Sequence, residues 1–424
     1  MANAENRVTT LNGWFKEQYA DAPVEAIPAQ FKLQENVPFG QVLAQGNKYH
    51  VPLVLQYPSG VTYAGTSAGA FALNQASAGA TVDATVQGTQ VLLRESIDYE
   101  SAKLASGSKT AFGQVTQRVV KSMLLTMRKR LEIEFFYGQM GLGTVSGGPT
   151  NAANSVITIT TAEWAAGIWA GSKGAQLEFW DTTQATLRGT ANVVFVNLTA
   201  RTITVDQNVT TFGSPVVSTD VIFFKGAKGN ECAGVHKILT NAGSLFGVNA
   251  AQYELWAGSS FANGSAALTF TSLSKLMNGM YEKGCENDVV GMISHKAFTN
   301  LMNGASITVS ATGQSPLSNT RQNQGAGQSL KVGYNSIEYA EQNGTVKLVP
   351  STYVKEGYSY LLSKKDWMRI GATDVTFSLP DSDGKEFIRP MADNAGFELR
   401  AWSHQAPFCQ LPGHSGIITG IVNS

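Results

Sequence analysis

The chain has 424 residues, enough at about 150 residues per domain for two or three domains, and its hydrophobic share of 43% can build a sizeable core. Only 15% of residues are charged, and 31 Lys and Arg balance 31 Asp and Glu. That balance argues against a dedicated nucleic-acid binder, which carries a basic excess, and against an acidic disordered chain; with little net charge to keep copies apart, the composition leans towards a protein that buries much of its surface against partners.

Residues 1–40 show little periodicity and are interrupted by Pro23, Pro28 and Pro38. They read as an extended arm with at most a short helix around Leu11–Tyr19. Residues 41–105 read as a long two-stranded excursion: His50–Gln56 and Thr81–Ile97 have strand composition, and a stretch rich in Gly, Ser and Ala lies between them. An isolated hairpin is marginal in water, so this one needs a surface to lie on.

The clearest element is a helix over 109–139. Phe112, Val115, Val119, Met123, Met127, Leu131 and Phe135 recur at steps of three and four, and neither proline nor glycine interrupts Gln114–Tyr137. It would be roughly 40 Å long. Gly138, Gly141 and Gly143 mark its end. It also holds the densest basic cluster of the chain, Lys109, Arg118, Lys121, Arg128, Lys129 and Arg130, opposed only by Glu132 and Glu134. Such a face is either solvated and paired with acids from elsewhere, or turned towards a polyanion through sequence-independent phosphate contacts.

From 146 to 230, short β-rich runs recur with turn residues between them, and one short helix is expected at Ala162–Ala170. This spacing predicts a small inserted all-β barrel or sandwich. Mixed α/β structure follows: a helix at Leu273–Tyr281, a strand at Asp288–Ile293, a helix at His295–Met302, a polar loop over 304–330, hairpins at Asn343–Gly344 and Pro380–Gly384, and a long strand at Gly396–His404.

Catalytic signatures are largely missing. No Walker A, HExxH or GxGxxG pattern occurs, and the five histidines have no ligand spacing. Asp381-Ser-Asp383-Gly384 lacks the remaining ligands of a calcium loop. Cys232, Cys285 and Cys409 are too far apart for a zinc site or disulfide framework and read as buried thiols. No metal or cofactor site is expected. Gly65-Thr-Ser67-Ala-Gly69 fits the GxSxG elbow of serine hydrolases, but it sits in a small-residue tip with no parallel α/β pattern around it. Met1–Phe15 has no apolar core of signal-peptide length, and no 18-residue apolar window exists, so no membrane contact is expected.

The order of parts resembles the major capsid proteins of tailed bacteriophages. Ser101–Gly113 entering the long helix and Gly138–Gly143 leaving it carry the resemblance, with Asp220–Leu239 as the return from an inserted domain. Val289–Leu301, Tyr358–Ile370 and Glu386–Val422 resemble pieces of that family's axial and peripheral domains. The resemblance implies an α+β phage capsid fold: N-terminal arm (1–40), extended loop (41–108), spine helix and start of the peripheral domain (109–145), inserted β domain (146–228), peripheral continuation (229–270), axial domain (271–376), and peripheral long strands with a final axial strand (377–424). It implies a structural protein of the virion, not an enzyme, assembled in the host cytoplasm into hexamers and pentamers around double-stranded DNA. A separate scaffolding protein, a portal and decoration proteins are further partners. Some relatives carry a cleaved scaffolding segment, for which the residues before the hairpin are too few. Some crosslink a loop lysine to a neighbour's asparagine; residues 51–100 contain no lysine, so a non-covalent shell is expected.

By position, Trp14 and Phe15 in the arm and Tyr63, Phe71, Asp83, Arg94 and Glu95 in the hairpin are the candidate subunit-interface residues. Arg118, Lys121, Arg128 and Lys129 are the candidate DNA-facing residues. Two alternatives remain open: an encapsulin-like shell around cargo protein, and a serine hydrolase using Ser67.

Overall fold

The computed structural model describes residues 30–40, 48–66, 69–98, 109–286, 288–302, 337–341, 344–378, 388–391 and 396–423, with side chains of the long helix from Val119 onward. Helix α1 (Lys32–Asn36) and strand β1 (Phe39–Gly40) come first. Strands β2 (Tyr49–Gln56), β3 (Ala80–Val86) and β4 (Thr89–Asp98) lead to α2 (Lys109–Tyr137), the long helix. Then come β5 (Gly143–Thr144), β6 (Val156–Thr158), α3 (Ala166–Trp169), β7 (Gln176–Trp180), β8 (Leu187–Asn197), β9 (Thr202–Val205) and β10 (Val221–Phe224). Helix α4 (Val235–Leu239), β11 (Ser244–Leu245), β12 (Val248–Asn249), β13 (Ser259–Ala266), α5 (Phe270–Glu282), β14 (Val289–Ile293) and α6 (295–302) follow. The chain closes with β15 (Ile337–Glu341), β16 (Gly344–Pro350), β17 (Ser359–Ser363), β18 (Trp367–Thr376), β19 (Ile388–Pro390), β20 (Gly396–Cys409) and β21 (Gly416–Ile421).

Three larger sheets organise these elements. The first joins β1, β18, β20 and β19 in that order, with β4 on the remaining edge of β20. Leu399 and Ala401 of β20 pack with Leu93 and Ile97 of β4 against Met123, Val119 and Val120 of α2. The second runs β5-β10-β7-β8-β9-β6. An antiparallel bridge from Val145 to Ile159, just beyond its first and last strands, closes the six strands into a small barrel, one of the two forms the strand spacing allowed. The third runs β13-β21-β17-β14-β16-β15 and buries α5 and α6 on Leu273, Leu276, Met280 and Phe298. Central β14 reads VVGMI without alternation because it is flanked by β16 and β17 and buried throughout.

Two expectations are corrected, and the barrel shares its core with the rest of the subunit. The returning limb of the hairpin is not one strand. Only β3 pairs with β2; after Gln87–Gly88 the chain leaves the hairpin, and β4 pairs with β20 over its whole length. Glycine is needed at this break, because a Cβ on Gly88 would sit 2.6 Å from the His404 ring. The helix expected at 162–170 is a 3₁₀ turn (Thr161–Glu163) followed by the four-residue α3. The inserted barrel has no core of its own: Ile157, Phe179, Val193, Ile203 and Ile222 belong to one cluster with Leu131, Phe135 and Tyr353. The Leu11–Tyr19 helix, the 304–330 loop and the Pro380–Gly384 turn lie outside the described residues.

Helix α2 ends where α4 begins to pack on it. The amide of Gly234 donates to the Gly138 carbonyl (3.1 Å), and a Cβ on Gly138 would lie 2.2 Å from the Cys232 carbonyl oxygen. Gly138→Ala is therefore expected to destabilise the subunit by about 1–3 kcal/mol or more in chemical denaturation, as overpacking does. Gly148→Ala, where an added Cβ meets nothing within 4 Å, leaves the midpoint unchanged.

Candidate subunit-interface surfaces

Every residue from Leu131 to Gly138 is buried, so this end of α2 is enclosed on all sides. The two acids there turn inward instead of opposing the basic cluster. Glu132 accepts the amides of Leu33 (2.7 Å) and Gln34 (3.1 Å). These are orphan donors of α1, whose N-cap residue Phe31 has no capping side chain. Burial pushes the Glu132 carboxyl up to about 7, against the pull of those amides and of Arg369. Arg369 holds the same segment from the other side: Nε donates to the Val37 carbonyl (2.9 Å), and its backbone amide donates to that of Pro38 (2.8 Å). Residues 31–40 are thus strapped to the body by a buried carboxyl and a buried guanidinium. Glu134 accepts the Cys232 amide (2.9 Å) and the Thr89 hydroxyl (3.1 Å), tying the start of β4 to the helix; burial raises its carboxyl as well.

The basic residues divide. Lys121 and Arg128 are exposed. Lys129 departs from the expectation: it is half-buried, its amine donates to the Ala170 carbonyl behind α3, and burial lowers it to about 8. The Arg130 guanidinium lies 3.4 Å from the ring centroid of Phe224 in β10. Both therefore hold the barrel on the helix. The Arg118 side chain lies outside the described set.

The hairpin has an anchored base and an uncovered tip. Leu53, Ala84 and Val86 are buried with Val248, Trp256, Ile370 and Phe408. Beyond Gln56 the chain presents Tyr57 (83% exposed), Tyr63 (92%) and Leu73 (79%), with Val61 and Phe71 also exposed. Asp83 pairs with His50 across the hairpin (2.7 Å). Arg94 pairs with buried Glu398 (2.6 Å), which Arg400 also holds. Glu95 is exposed. Of the described candidates, Tyr63, Phe71 and Glu95 stand towards solvent, while Asp83 and Arg94 have partners in their own chain. Trp14, Phe15 and Ser67 lie outside the described residues.

One junction was not legible beforehand. Buried Lys355 donates to the Gly141 carbonyl (3.1 Å), lies over the Tyr137 ring and stands 3.9 Å from Glu163 of the barrel. Next to it, Glu356 pairs with Arg201 of the barrel and Lys296 of α6, each at 3.0 Å. In sequence these are charged loop residues, which ordinarily read as solvated. Among the described residues, no group of His, Cys, Asp and Glu could hold a metal. His236 is a core residue: its Nδ1 meets the Tyr360 hydroxyl at 2.9 Å, and burial lowers it to about 3.

No family model matches the chain, and no curated protein matches it in sequence. Solved structures do match its fold. A chain of the cyanophage A-1(L) capsid asymmetric unit aligns over 98% of this chain and 99% of its own, at 10% identity and TM-score 0.56. The capsid of a native GTA particle aligns over 99% and 100%, at 7% identity and TM-score 0.51. The capsid of Myoviridae phage XM1 aligns over 99% and 100%, at 6% identity and TM-score 0.50. The chain has the phage capsid fold. At such identities, what a capsid-fold chain keeps is the arrangement of elements, and the residues described above are this chain's own way of holding it.

Glu132 gives that arrangement a pH signature. Its carboxyl is raised from 4.5 in the unfolded chain to about 7 in the folded one, so the native state binds more protons between those values. Its stabilising contribution is complete below about 4.5 and is lost as the pH rises through about 7. Glu132→Gln is expected to flatten this part of the stability profile, measured by denaturation at a series of pH values. An unchanged slope would contradict the assignment.

Proposed function

We propose that the chain is the structural subunit of an icosahedral viral head, self-assembling into hexamers and pentamers that enclose double-stranded DNA. The observation that carries this reading is the alignment of nearly the whole chain with capsid chains at TM-scores of 0.50 to 0.56. The exposed apolar tip supports it, since large apolar side chains rimmed by small polar ones mark surfaces meant for a partner. In this reading residues 1–40 are the arm, 41–108 the extended loop, 109–145 the spine helix and its exit, 146–228 the inserted barrel, 229–270 and 377–424 mainly the peripheral domain, and 271–376 the axial domain. Lys121 and Arg128 belong to the surface facing packaged DNA. Localisation in the virion, after assembly in the host cytoplasm, follows from the same reading. Scaffolding, portal and decoration proteins are its further partners.

Expressed subunits are expected to elute as large species and to show shells, tubes, or rings of five or six in negative-stain electron microscopy. Their boiled SDS samples should run at monomer mass, because residues 51–100 supply no lysine for a crosslink. Ser67→Ala should leave assembly unchanged. Nuclease-protected DNA inside native particles supports a viral head; cargo protein without DNA would favour an encapsulin-like shell.

Charge reversal at Lys121 and Arg128 together should weaken DNA binding uniformly across sequences. The slope of log affinity against log salt should shrink by about 2, one for each phosphate contact removed. An unchanged slope in a filter-binding series would remove these residues from the DNA-facing surface.

A further inference from the structure

We propose that the barrel meets the barrel of a second copy across a two-fold axis, through the face centred on Phe195. This deepens the shell reading above and rests on it. The face is built by three neighbouring strands, β6, β9 and β8. Val156, Thr204 and Phe195 lie side by side in one row across them, and Thr158, Thr202 and Asn197 in the next. The alternate residues Ile157, Ile203 and Val205 are buried beneath. Phe195 stands on this side because of a bulge. The β8–β9 register shifts between Val193 and Phe195, so two steps along β8 answer one along β9. Strict alternation from buried Val193 would turn Phe195 inward and Val196 outward. The bulge does the reverse: Val196 packs on the core, while Val194 (37% exposed) and Phe195 (60%) both face out. Leu198, in the turn that follows, is 45% exposed. A bulge that re-aims a side chain is a built feature and not a defect.

The chemistry of the face selects a copy of itself. Residues 146–162 contain no Asp, Glu, Lys, Arg or His, and residues 189–205 contain only Arg201. Arg201 is engaged with Glu356 (3.0 Å), and Asp206, just beyond, is engaged with Asn192 (2.7 Å). A face without charge offers nothing to steer a charged partner, and it meets itself without like-charge repulsion. Its threonine hydroxyls both donate and accept, so they can pair with their own counterparts, as a two-fold contact requires. The size of the face points the same way. Val194, Phe195 and Leu198 together offer on the order of 200–300 Å² per copy, well below the roughly 800 Å² per partner of a stable free complex. Such a contact is weak between free molecules. Between copies already held in one shell it becomes an intramolecular contact at high effective concentration.

The test uses the full chain. Cys232, Cys285 and Cys409 are buried, so an introduced thiol reports alone. A two-fold contact sets residue 195 near the same residue of its partner, and one substitution suffices. Phe195→Cys and Leu198→Cys should each give disulfide-linked dimers after mild oxidation of assembled shells, and monomer in dilute free subunits. Leu187→Cys, exposed at the other end of β8, should stay monomeric in both. Hydroxyl-radical footprinting of the wild-type protein is the second measurement: oxidation of Phe195 and Leu198 should fall several-fold on assembly. Wild-type shells in which Phe195 is oxidised as fast as in free subunits would overturn the proposal while leaving the shell reading intact. Protection of Phe195 without a dimer from either cysteine would also overturn it, because a different surface or a different protein would then cover the face. So would an equal yield of dimer from Leu187→Cys, the mark of random collision. Absence of any shell, tube or ring from the wild-type protein would overturn the shell reading and this one with it.

Discussion

The enclosed end of α2 is the constraint on which the other parts depend. A helix buried on every side has no face to spare for water, so its polar side chains must find partners within the protein. Glu132 and Glu134 find them in backbone amides that would themselves be orphaned: those of Leu33 and Gln34 at the start of α1, and that of Cys232 before α4. Each carboxylate satisfies a distant segment while being satisfied by it. Each such hydrogen bond contributes about 0.5–1.5 kcal/mol, and a buried polar group left without a partner costs about 1–3 kcal/mol. The arm, the first sheet and the return from the barrel are therefore fixed to one helix by groups that cannot be left alone.

The same reasoning explains how the barrel sits. It contributes to a core it shares with α2 and the 351–358 loop, and so has no stability ledger of its own. Lys129 and Arg130 fasten it from the helix, one on the Ala170 carbonyl and one on the Phe224 ring. Lys355 and Glu356 fasten it from the loop, and Glu356 reaches α6 as well. Several of the chain's few charges thus stand at junctions between its units.

The hairpin divides its apolar residues between two tasks. Those at its base complete a cluster with Phe408 and Trp256 and hold the strands in place. Those at its tip have no described partner in the subunit, and burying any one of them elsewhere would gain roughly 1.5–3 kcal/mol. An uncovered apolar tip of this kind is what the proposed shell reading requires, in which a neighbouring copy would cover it.

What the sequence by itself determined was local or periodic. The steps of three and four from Phe112 to Phe135 determined α2, and turn-separated β runs determined the barrel strands. The small-residue stretch between two strands determined the hairpin. Their order along the chain was enough for the capsid fold to be legible. Only the tertiary structure decided which backbone Glu132 would cap, since Leu33 lies 99 residues away. It alone decided that Lys129 would serve the barrel instead of solvent, and that β4 would leave the hairpin for β20. A helix or strand follows from residues a few positions apart, whose contacts are repeated at every turn or pleat. The partner of a single carboxylate, amine or strand edge is set by how whole elements pack, and no pattern of neighbouring residues records that packing.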